Sequence, residues 1–163
     1  MIIRDAAEAD LPGILEIHND AVANTTAIWS VHQVDIDNRR AFMRDRQGRG
    51  FPFLVAADHG AVLGYASFGD FRPHDGYFKT VEHSVYVDRH RRRRGIAAQL
   101  MPPLIERART LGKHAMVGGI DAANEASVRL HESLGFQQVG LLPQVGFKFG
   151  RYLDLLFMQK ILD

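Results

Sequence analysis

Apolar residues follow two periods along the chain, one typical of helices and one typical of strands. From Leu11 to Val22 they recur every three or four positions, which predicts a helix with Asp10 as its N-cap. The same spacing predicts helices over residues 35–46, 95–111 and 125–134. Apolar runs bounded by turn residues predict strands over residues 2–4, 53–57, 61–68, 77–87, 115–120, 137–142 and 152–161. This order predicts a mixed α/β sheet with helices on both faces.

The composition is typical of one folded domain, which we expect to span residues 1–163. Of the 163 residues, 46% are hydrophobic and 24% are charged. The chain has no Cys, which excludes disulfides and Cys nucleophiles. No apolar run approaches the roughly 20 residues of a membrane helix. The first residues also lack the pattern of a signal peptide, so we expect a cytoplasmic protein that does not bind membranes.

A basic turn lies between the fourth predicted strand and the third predicted helix. Five of the 20 Lys and Arg residues fall within residues 89–94, and the rest of the chain carries a net charge of −4. Nucleic-acid binding typically uses a broad basic face, so we expect no nucleic-acid partner. The turn is instead a candidate anion site, with a solvated basic turn as the alternative.

The residues that close this turn suit a phosphate group. A helix N-terminus carries unpaired N–H groups and partial positive charge, and here it begins at Gly95. Gly95 lets the backbone approach an anion closely, and the small Ala97 leaves room beside it. The preceding Arg residues can add bidentate contacts. Since no Walker or G-x-G-x-x-G motif is present, the sequence predicts a pyrophosphate site of a different kind.

Two motifs resemble the signatures of the Gcn5-related N-acetyltransferase (GNAT) family. Arg92-x-x-Gly95-x-Ala97 matches the family's acetyl-CoA motif Q/R-x-x-G-x-G/A, and Asn124 and Ser127 precede the segment LHESLGF at residues 130–136. Residues 81–87, 127–132 and 143–150 further resemble the branch of phosphinothricin and methionine sulfoximine/methionine sulfone N-acetyltransferases. The resemblance implies a GNAT fold over the whole chain, with a mixed, mostly antiparallel sheet of about seven strands. It also implies acetyl-CoA as cosubstrate.

Glu82 is the candidate general base. An amine must lose a proton to attack a thioester, and a carboxylate can take that proton. Glu82 lies on the strand before the basic turn, where it shares a face with Ser84 and Tyr86. Partial burial would raise its pKa towards useful values. On the residues alone, an ion-paired surface Glu is the alternative, whereas the resemblance implies the catalytic Glu of the family.

His131 is the candidate general acid. It occupies the position at which many members of the family carry Tyr, the proposed donor to the departing CoA thiolate. An imidazole can donate such a proton, bind the cofactor or serve a structural role, and all three remain open. Tyr86 is the weaker candidate for the acid.

The resemblance also implies which residues hold acetyl-CoA. In this fold a bulge splays the strand that carries the base, and its exposed backbone pairs with the pantetheine amides. Val85 and Val87 are expected to supply these groups. The predicted cofactor-binding residues are Val85, Tyr86, Val87, Arg92, Arg93, Arg94, Gly95, Ile96, Ala97, Asn124 and Ser127.

A loop after the third strand is the predicted wall of the acceptor pocket. Arg72 is its obvious carboxylate partner, with a surface Arg as the alternative. Trp29 closes the pocket or belongs to the core. Lys148 comes from the partner of a homodimer, typical of this branch, or lies on a hairpin tip. The predicted substrate-binding residues are Arg72, Pro73, His74, Glu82, His83, Ser84, Trp29 and Lys148. No metal site is predicted, because the eight His residues show no paired ligand spacing.

The expected reaction is acetyl transfer from acetyl-CoA to the α-amino group of a small amino acid or analogue. The resemblance favours methionine sulfoximine, methionine sulfone, phosphinothricin or methionine as acceptors. Transfer would be direct, because the chain has no Cys and no activated Ser is evident. Two alternatives stay open, a peptide or protein N-acetyltransferase and a non-catalytic acyl-CoA-binding regulator.

Overall fold

The computed structural model describes residues 1–163 and contains seven strands and four α-helices in the predicted order. The strands are β1 (Ile2–Asp5), β2 (Phe53–Asp58), β3 (Ala61–Asp70), β4 (Thr80–Val87), β5 (Ala115–Asp121), β6 (Gln137–Lys148) and β7 (Arg151–Ile161). The helices are α1 (Leu11–Asn24), α2 (Ile36–Gly48), α3 (Ile96–Thr110) and α4 (Glu125–Ser133). The side chain of Asp35 caps α2 by accepting from the Asn38 N–H at 2.9 Å.

All seven strands form one sheet in the order β1-β2-β3-β4-β5-β7-β6. The pair β4–β5 is parallel, and the other five pairs are antiparallel. The predicted mixed, mostly antiparallel sheet of seven strands is confirmed. The parallel pair matters for function because α3 must cross over between its two strands, which brings the N-terminus of α3 close to the end of β4.

Two strands differ from the predicted bounds by three residues or more, and the other five by one or two. The fourth strand begins at Thr80 and not at residue 77, because Asp75–Tyr77 form a 3₁₀ turn that ends the preceding loop. The sixth strand continues to Lys148 and forms a long hairpin with β7, whereas the sequence predicted an end at residue 142. Gln144 adopts a positive φ of 58° within a register shift, and this irregular backbone hides the continuity of the strand.

Hydrophobic residues pack on both faces of the sheet, as the alternation along β2 requires. Phe53 and Val55 face α1 and α2, where they join a buried cluster with Ile14 and Met43. Leu54 and Ala56 face the opposite side and belong to a larger cluster under α3. The helices therefore cover both faces, as predicted. None of the helices is long and apolar enough to cross a membrane.

The central strands separate at one end of the sheet. Pairing between β4 and β5 ends at Glu82 and Val117, although β5 continues to Asp121 and β4 to Val87. The register between β3 and β4 is continuous, so the splay arises where the parallel pairing ends and not from the expected bulge. A wedge-shaped gap is left between the two strands.

Candidate active site

The gap exposes backbone groups of β4. The Asp88 N–H donates to the Leu63 carbonyl of β3 at 2.9 Å. Because successive residues direct their backbone groups to opposite sides of a strand, Val85 and Val87 direct theirs away from β3 and into the gap. No strand pairs with them there. These groups can pair with an extended ligand that carries amides, as a further strand would.

The N-terminus of α3, which follows β4 after the basic turn, has the properties of an anion site. The backbone N–H groups of Ile96, Ala97 and Ala98 have no hydrogen-bond partner in the protein. Gly95 has a φ of +72°, a conformation that disfavours side chains, and Arg93 also has a positive φ of 64°. The backbone is therefore shaped for a close approach by a ligand.

The Arg residues of the basic turn differ in availability. Arg89 forms an ion pair with Asp20 on α1 at 3.2 Å. Arg92, Arg93 and Arg94 are exposed and form no ion pair. These three side chains are free to bind an anionic ligand, together with the unpaired N–H groups of α3.

A cavity of about 330 Å³ opens at the splayed end of the sheet. It brings together many of the residues singled out in the sequence. Its sixteen lining residues are Thr26, Ala27, Arg46, Asp70, Glu82, His83, Ser84, Val85, Tyr86, Gly118, Gly119, Ile120, Asp121, Asn124, Ser127 and His131. We call this cavity the chamber; Val85 and Tyr86 of the backbone gap form part of its wall.

Glu82 is half-buried in this chamber at the point where β4 leaves β5. Burial raises the pKa of its carboxyl group, while the positive charges of Arg72 and Arg46 act in the opposite direction. A Cβ atom at position 119 would lie 3.4 Å from Glu82 Oε2, so Gly119 keeps the space beside the carboxylate open. Glu82 forms no hydrogen bond or ion pair with another side chain, and its oxygens remain available to a substrate.

His131 and His83 form a buried pair beside Glu82. Their Nε2 atoms are 2.9 Å apart. His83 Nδ1 lies 3.1 Å from the Val117 carbonyl, and His131 Nδ1 lies 2.7 Å from the Ser127 carbonyl. Three hydrogen bonds would require three ring protons, whereas two neutral imidazoles carry two. The arrangement can therefore accept one further proton, although burial lowers the pKa of both rings.

The surroundings of the His pair leave it little freedom to move. A Cβ atom at position 118 would lie 2.7 Å from His83 Cε1, so Gly118 makes room for the ring. Phe136 packs against both imidazoles with ring centroids 5.1 Å and 5.4 Å away. Asn124 caps α4 by accepting from the Ser127 N–H at 3.1 Å, and both residues line the cavity.

Five predicted substrate-binding residues do not line the cavity. Arg72, Pro73 and His74 are exposed on the loop after β3, and Arg72 stacks on Phe71 with its Cζ 5.0 Å from the ring centroid. Trp29 donates from Nε1 to the Thr26 carbonyl at 2.9 Å, and its ring fills the space above Gly146. Of these five, Arg72 still acts on Glu82 through its charge.

Lys148 lies on the hairpin of β6 and β7, inside its own chain. Its side chain is 2% exposed, and Nζ donates to the carbonyls of Thr25 and Ile28 at 2.6 Å and 2.5 Å. These bonds hold the loop that carries Thr26 and Ala27 against the cavity. In this chain Lys148 positions a wall of the chamber and does not reach into it.

The sequence reasoning missed three charged residues of the chamber, Asp70, Asp121 and Arg46. Asp121 ends β5, where a carboxylate directly after an apolar strand was an available signal. Its Oδ2 accepts from Thr26 Oγ1 at 2.5 Å and ties the same loop to the sheet. Arg46 on α2 also lines the chamber. Nothing in the sequence distinguishes Arg46 from the other Arg residues of that helix.

The unpaired backbone of β4 opens into a chamber that holds a half-buried carboxylate, and the unpaired N-terminus of α3 follows β4 after the basic turn. Together they define a transferase that uses an acyl-CoA, because that ligand combines amides, a diphosphate and a reactive end in one extended molecule. No group of three or more potential metal ligands is present.

Comparison with known proteins specifies the class. Residues 14–136 match the model of the acetyltransferase (GNAT) family. The chain belongs to this family, and it is an enzyme whose cosubstrate is acetyl-CoA. It is 58% identical over 162 residues to the L-methionine sulfoximine/L-methionine sulfone acetyltransferase of Pseudomonas aeruginosa, covering 99% of this chain and 94% of the relative.

Two solved structures are similar over almost the whole chain. An acetyltransferase from Salmonella typhimurium, solved with its cofactor acetyl-CoA, has a TM-score of 0.97 and 53% identity, covering 99% of this chain and 94% of that one. A ribosomal-protein-alanine N-acetyltransferase from Brucella melitensis has the same TM-score and identity, with 99% coverage of both chains. The predicted GNAT fold is confirmed.

Proposed function

We propose that this enzyme acetylates the α-amino group of a small amino acid or analogue. The proposed acceptors are methionine sulfoximine and methionine sulfone, with phosphinothricin and methionine as further candidates. The observation that carries the proposal is the half-buried Glu82 in a chamber of about 330 Å³. A space of this size suits a small molecule. The name of the relative from Pseudomonas aeruginosa supports the same class of acceptor.

Glu82 acts as the general base in this proposal. The acceptor enters as an ammonium ion and must lose a proton before its nitrogen can attack the thioester. The burial that raises the pKa of Glu82 makes the carboxylate a stronger base. The free space beside Gly119 allows the amine or one water molecule to reach Glu82 Oε2.

The backbone of β4 and the N-terminus of α3 would hold acetyl-CoA. Val85 and Val87 would pair with the pantetheine amides, while the amides of Ile96 and Ala97 and the Arg92–Arg94 side chains would bind the diphosphate. The thioester supplies the activated acetyl group. A backbone N–H of β4 that polarises its carbonyl contributes about 3 kcal/mol, as oxyanion-hole donors do.

His131 is proposed to return a proton to the leaving thiolate. It lines the chamber, and its contact with His83 allows the two rings to share a proton. Transfer is direct, because the chamber contains no Cys and no imidazole contacts Ser84. His131 Nδ1 lies 3.5 Å from Ser127 Oγ, but it is already engaged with the Ser127 carbonyl at 2.7 Å and does not act as a base for that hydroxyl. Residues 1–163 act as one catalytic domain in this proposal, and the cytoplasmic location stays a prediction.

The test of this function is thiol release from acetyl-CoA with a panel of acceptors. We expect saturable release with methionine sulfone and methionine sulfoximine, and little release with a peptide that begins with Ala. The peptide matters because the structure from Brucella melitensis bears the name of a protein N-acetyltransferase. Release with the peptide alone would replace the proposal by that alternative. Binding of acetyl-CoA without thiol release in the presence of any acceptor would favour a non-catalytic regulator.

We also propose that the enzyme is a homodimer, as the family resemblance implies. β6 lies at an edge of the sheet and exposes Val139, Leu141, Val145 and Phe147, each with 54–59% of its surface accessible. A long apolar edge strand invites pairing with another chain. Light scattering coupled to size exclusion should give twice the 18.3 kDa mass of the chain. A mass of 18.3 kDa at micromolar concentration would contradict this proposal.

A further inference from the structure

Arg46 is an unpaired cation in the wall of the catalytic chamber. Its guanidinium forms no hydrogen bond and no ion pair. Its Nε is the one buried side-chain nitrogen or oxygen of the chain that lacks a hydrogen-bond partner. Buried donors are almost always satisfied, so an exception inside a ligand cavity points to a missing partner.

The other Arg residues of α2, and Arg49 at its C-cap, all have partners. Arg40 and Arg44 pair with Glu8 at 2.9 Å and 2.8 Å. Arg49 pairs with Asp70, and Arg39 donates to Asn38 at 2.8 Å. Arg46 is therefore set apart by its surroundings and not by its position in a basic helix. Asp70, one of the carboxylates that line the chamber, already pairs with Arg49.

The structure holds the Arg46 side chain in place without neutralising it. Its Cζ lies 4.7 Å from the ring centroid of Phe42, a cation–π contact. A Cβ atom at position 69 would lie 1.1 Å from Arg46 Nη1, so only Gly69 leaves room for the guanidinium on β3. The group is thus fixed at the chamber wall by packing, with its donors unused.

We propose that Arg46 binds the carboxylate of the amino-acid acceptor. This inference rests on the proposed function, and it deepens it by assigning the group that recognises the acid. A carboxylate accepts two parallel hydrogen bonds from a guanidinium and would satisfy the orphan Nε or its neighbours. Glu82 lies close enough for the charge of Arg46 to lower its pKa. The chamber thus presents a cation for the carboxylate and an anion for the adjacent ammonium group.

Arg46 fits this role better than Arg72, the residue that the sequence suggested. Arg72 is exposed, stacks on Phe71 and does not line the chamber, although its charge lowers the pKa of Glu82 more than the charge of Arg46 does. A carboxylate that binds an exposed Arg gains little, because water competes for both charges. At Arg46 burial removes water from the guanidinium and disfavours its unpaired charged form. An incoming carboxylate would replace the lost hydration with a direct ion pair.

The test compares an acid with its neutral amide. Steady-state kinetics with methionine sulfone and with methionine sulfone carboxamide give the acid/amide discrimination of each variant. We expect Arg46→Gln to lose about 10²-fold in kcat/KM for the acid and to lose most of the discrimination. The KM for acetyl-CoA should stay unchanged. Arg46→Lys keeps the charge but not the two parallel donors, and we expect an intermediate loss.

Matched controls separate recognition from folding and from general charge effects. Arg44→Gln removes an Arg from the same helix at an exposed pair with Glu8, and it should behave like the wild type. Removal of the unpaired Arg46 should leave the melting temperature unchanged or raise it, whereas a structural role would lower it. Assays are run on the alkaline plateau, because loss of Arg46 also raises the pKa of Glu82.

Two outcomes would overturn the inference, and they differ. If Arg46→Gln keeps the acid/amide discrimination while the wild type acetylates the acid, the carboxylate binds elsewhere and the proposed function survives. Loss of the acid/amide discrimination in Arg72→Gln would then assign carboxylate binding to the loop after β3. If the wild type acetylates neither the acid nor the amide, the proposed function fails and the inference fails with it.

Discussion

Glu82→Gln lowers kcat by about 10²–10⁴-fold, the range that a positioned general base contributes. Gln has nearly the same size, so it fills the half-buried site beside Gly119 but cannot accept the proton of the ammonium group. The affinity for acetyl-CoA should be unchanged, since that ligand is assigned to the backbone of β4 and to the N-terminus of α3. Steady-state kinetics measure kcat, and isothermal titration calorimetry with acetyl-CoA measures the affinity.

The dependence of wild-type activity on pH is an independent test of Glu82 as the general base. Burial raises the pKa of Glu82 above its ordinary value, and the base must be ionised to act. Activity should therefore rise with pH through that raised pKa and reach a plateau above it. Arg72→Gln removes one of the two cations that lower this pKa, so its acidic limb should move to higher pH. Glu82→Gln should lose the limb altogether.

Glu106→Gln is the matched control, because Glu106 is an exposed carboxylate on α3 that pairs with Arg109. It should retain wild-type kinetics. If Glu82→Gln retained more than a tenth of the wild-type kcat with an unchanged pH profile, Glu82 would not be the base. The amine would then lose its proton through another group of the chamber.

The elements that the sequence predicted correctly are those with a strong local signal. Phe53, Leu54, Val55 and Ala56 form a continuous apolar run, which predicts a strand buried on both faces, and successive side chains do lie in different cores. Gly95 is a second local signal, because a Gly before an apolar helical pattern marks the start of α3, and it has a positive φ there. Glu82 is a candidate from its place on the strand before the basic turn, but its role as the base is implied only by the family resemblance and stays a prediction.

The features that the sequence did not predict depend on contacts between distant segments. The role of Lys148 follows from the carbonyls of Thr25 and Ile28, which lie more than 100 residues earlier in the chain. The importance of Arg46 appears only when Gly69 of β3 packs against it. The separation of β4 from β5 also depends on where a parallel pairing stops, which no period in either strand records.

The second large effect is expected for Ala97→Glu, which places a carboxylate in the first turn of α3. The amides of Ile96, Ala97 and Ala98 are unpaired, and in our proposal they bind the diphosphate of acetyl-CoA. A Glu at position 97 would occupy this space and repel the phosphates, a like-charge contact that costs several kcal/mol. We expect the dissociation constant of acetyl-CoA to rise by about 10²-fold.

The stability of the fold should respond in the opposite direction. A negative side chain at a helix N-terminus interacts favourably with the helix dipole, by about 0.3–1 kcal/mol. Ala97→Glu should therefore keep or raise the melting temperature while it weakens acetyl-CoA binding, and a damaged fold would lower both. Ala98→Glu adds the same charge one residue further around the helix, at an exposed position. A smaller loss of acetyl-CoA affinity in Ala98→Glu than in Ala97→Glu would locate the diphosphate on the Ala97 side of the helix. Equal losses of affinity in the two variants would indicate a general charge effect. An unchanged affinity in Ala97→Glu would show that the diphosphate does not bind at this helix.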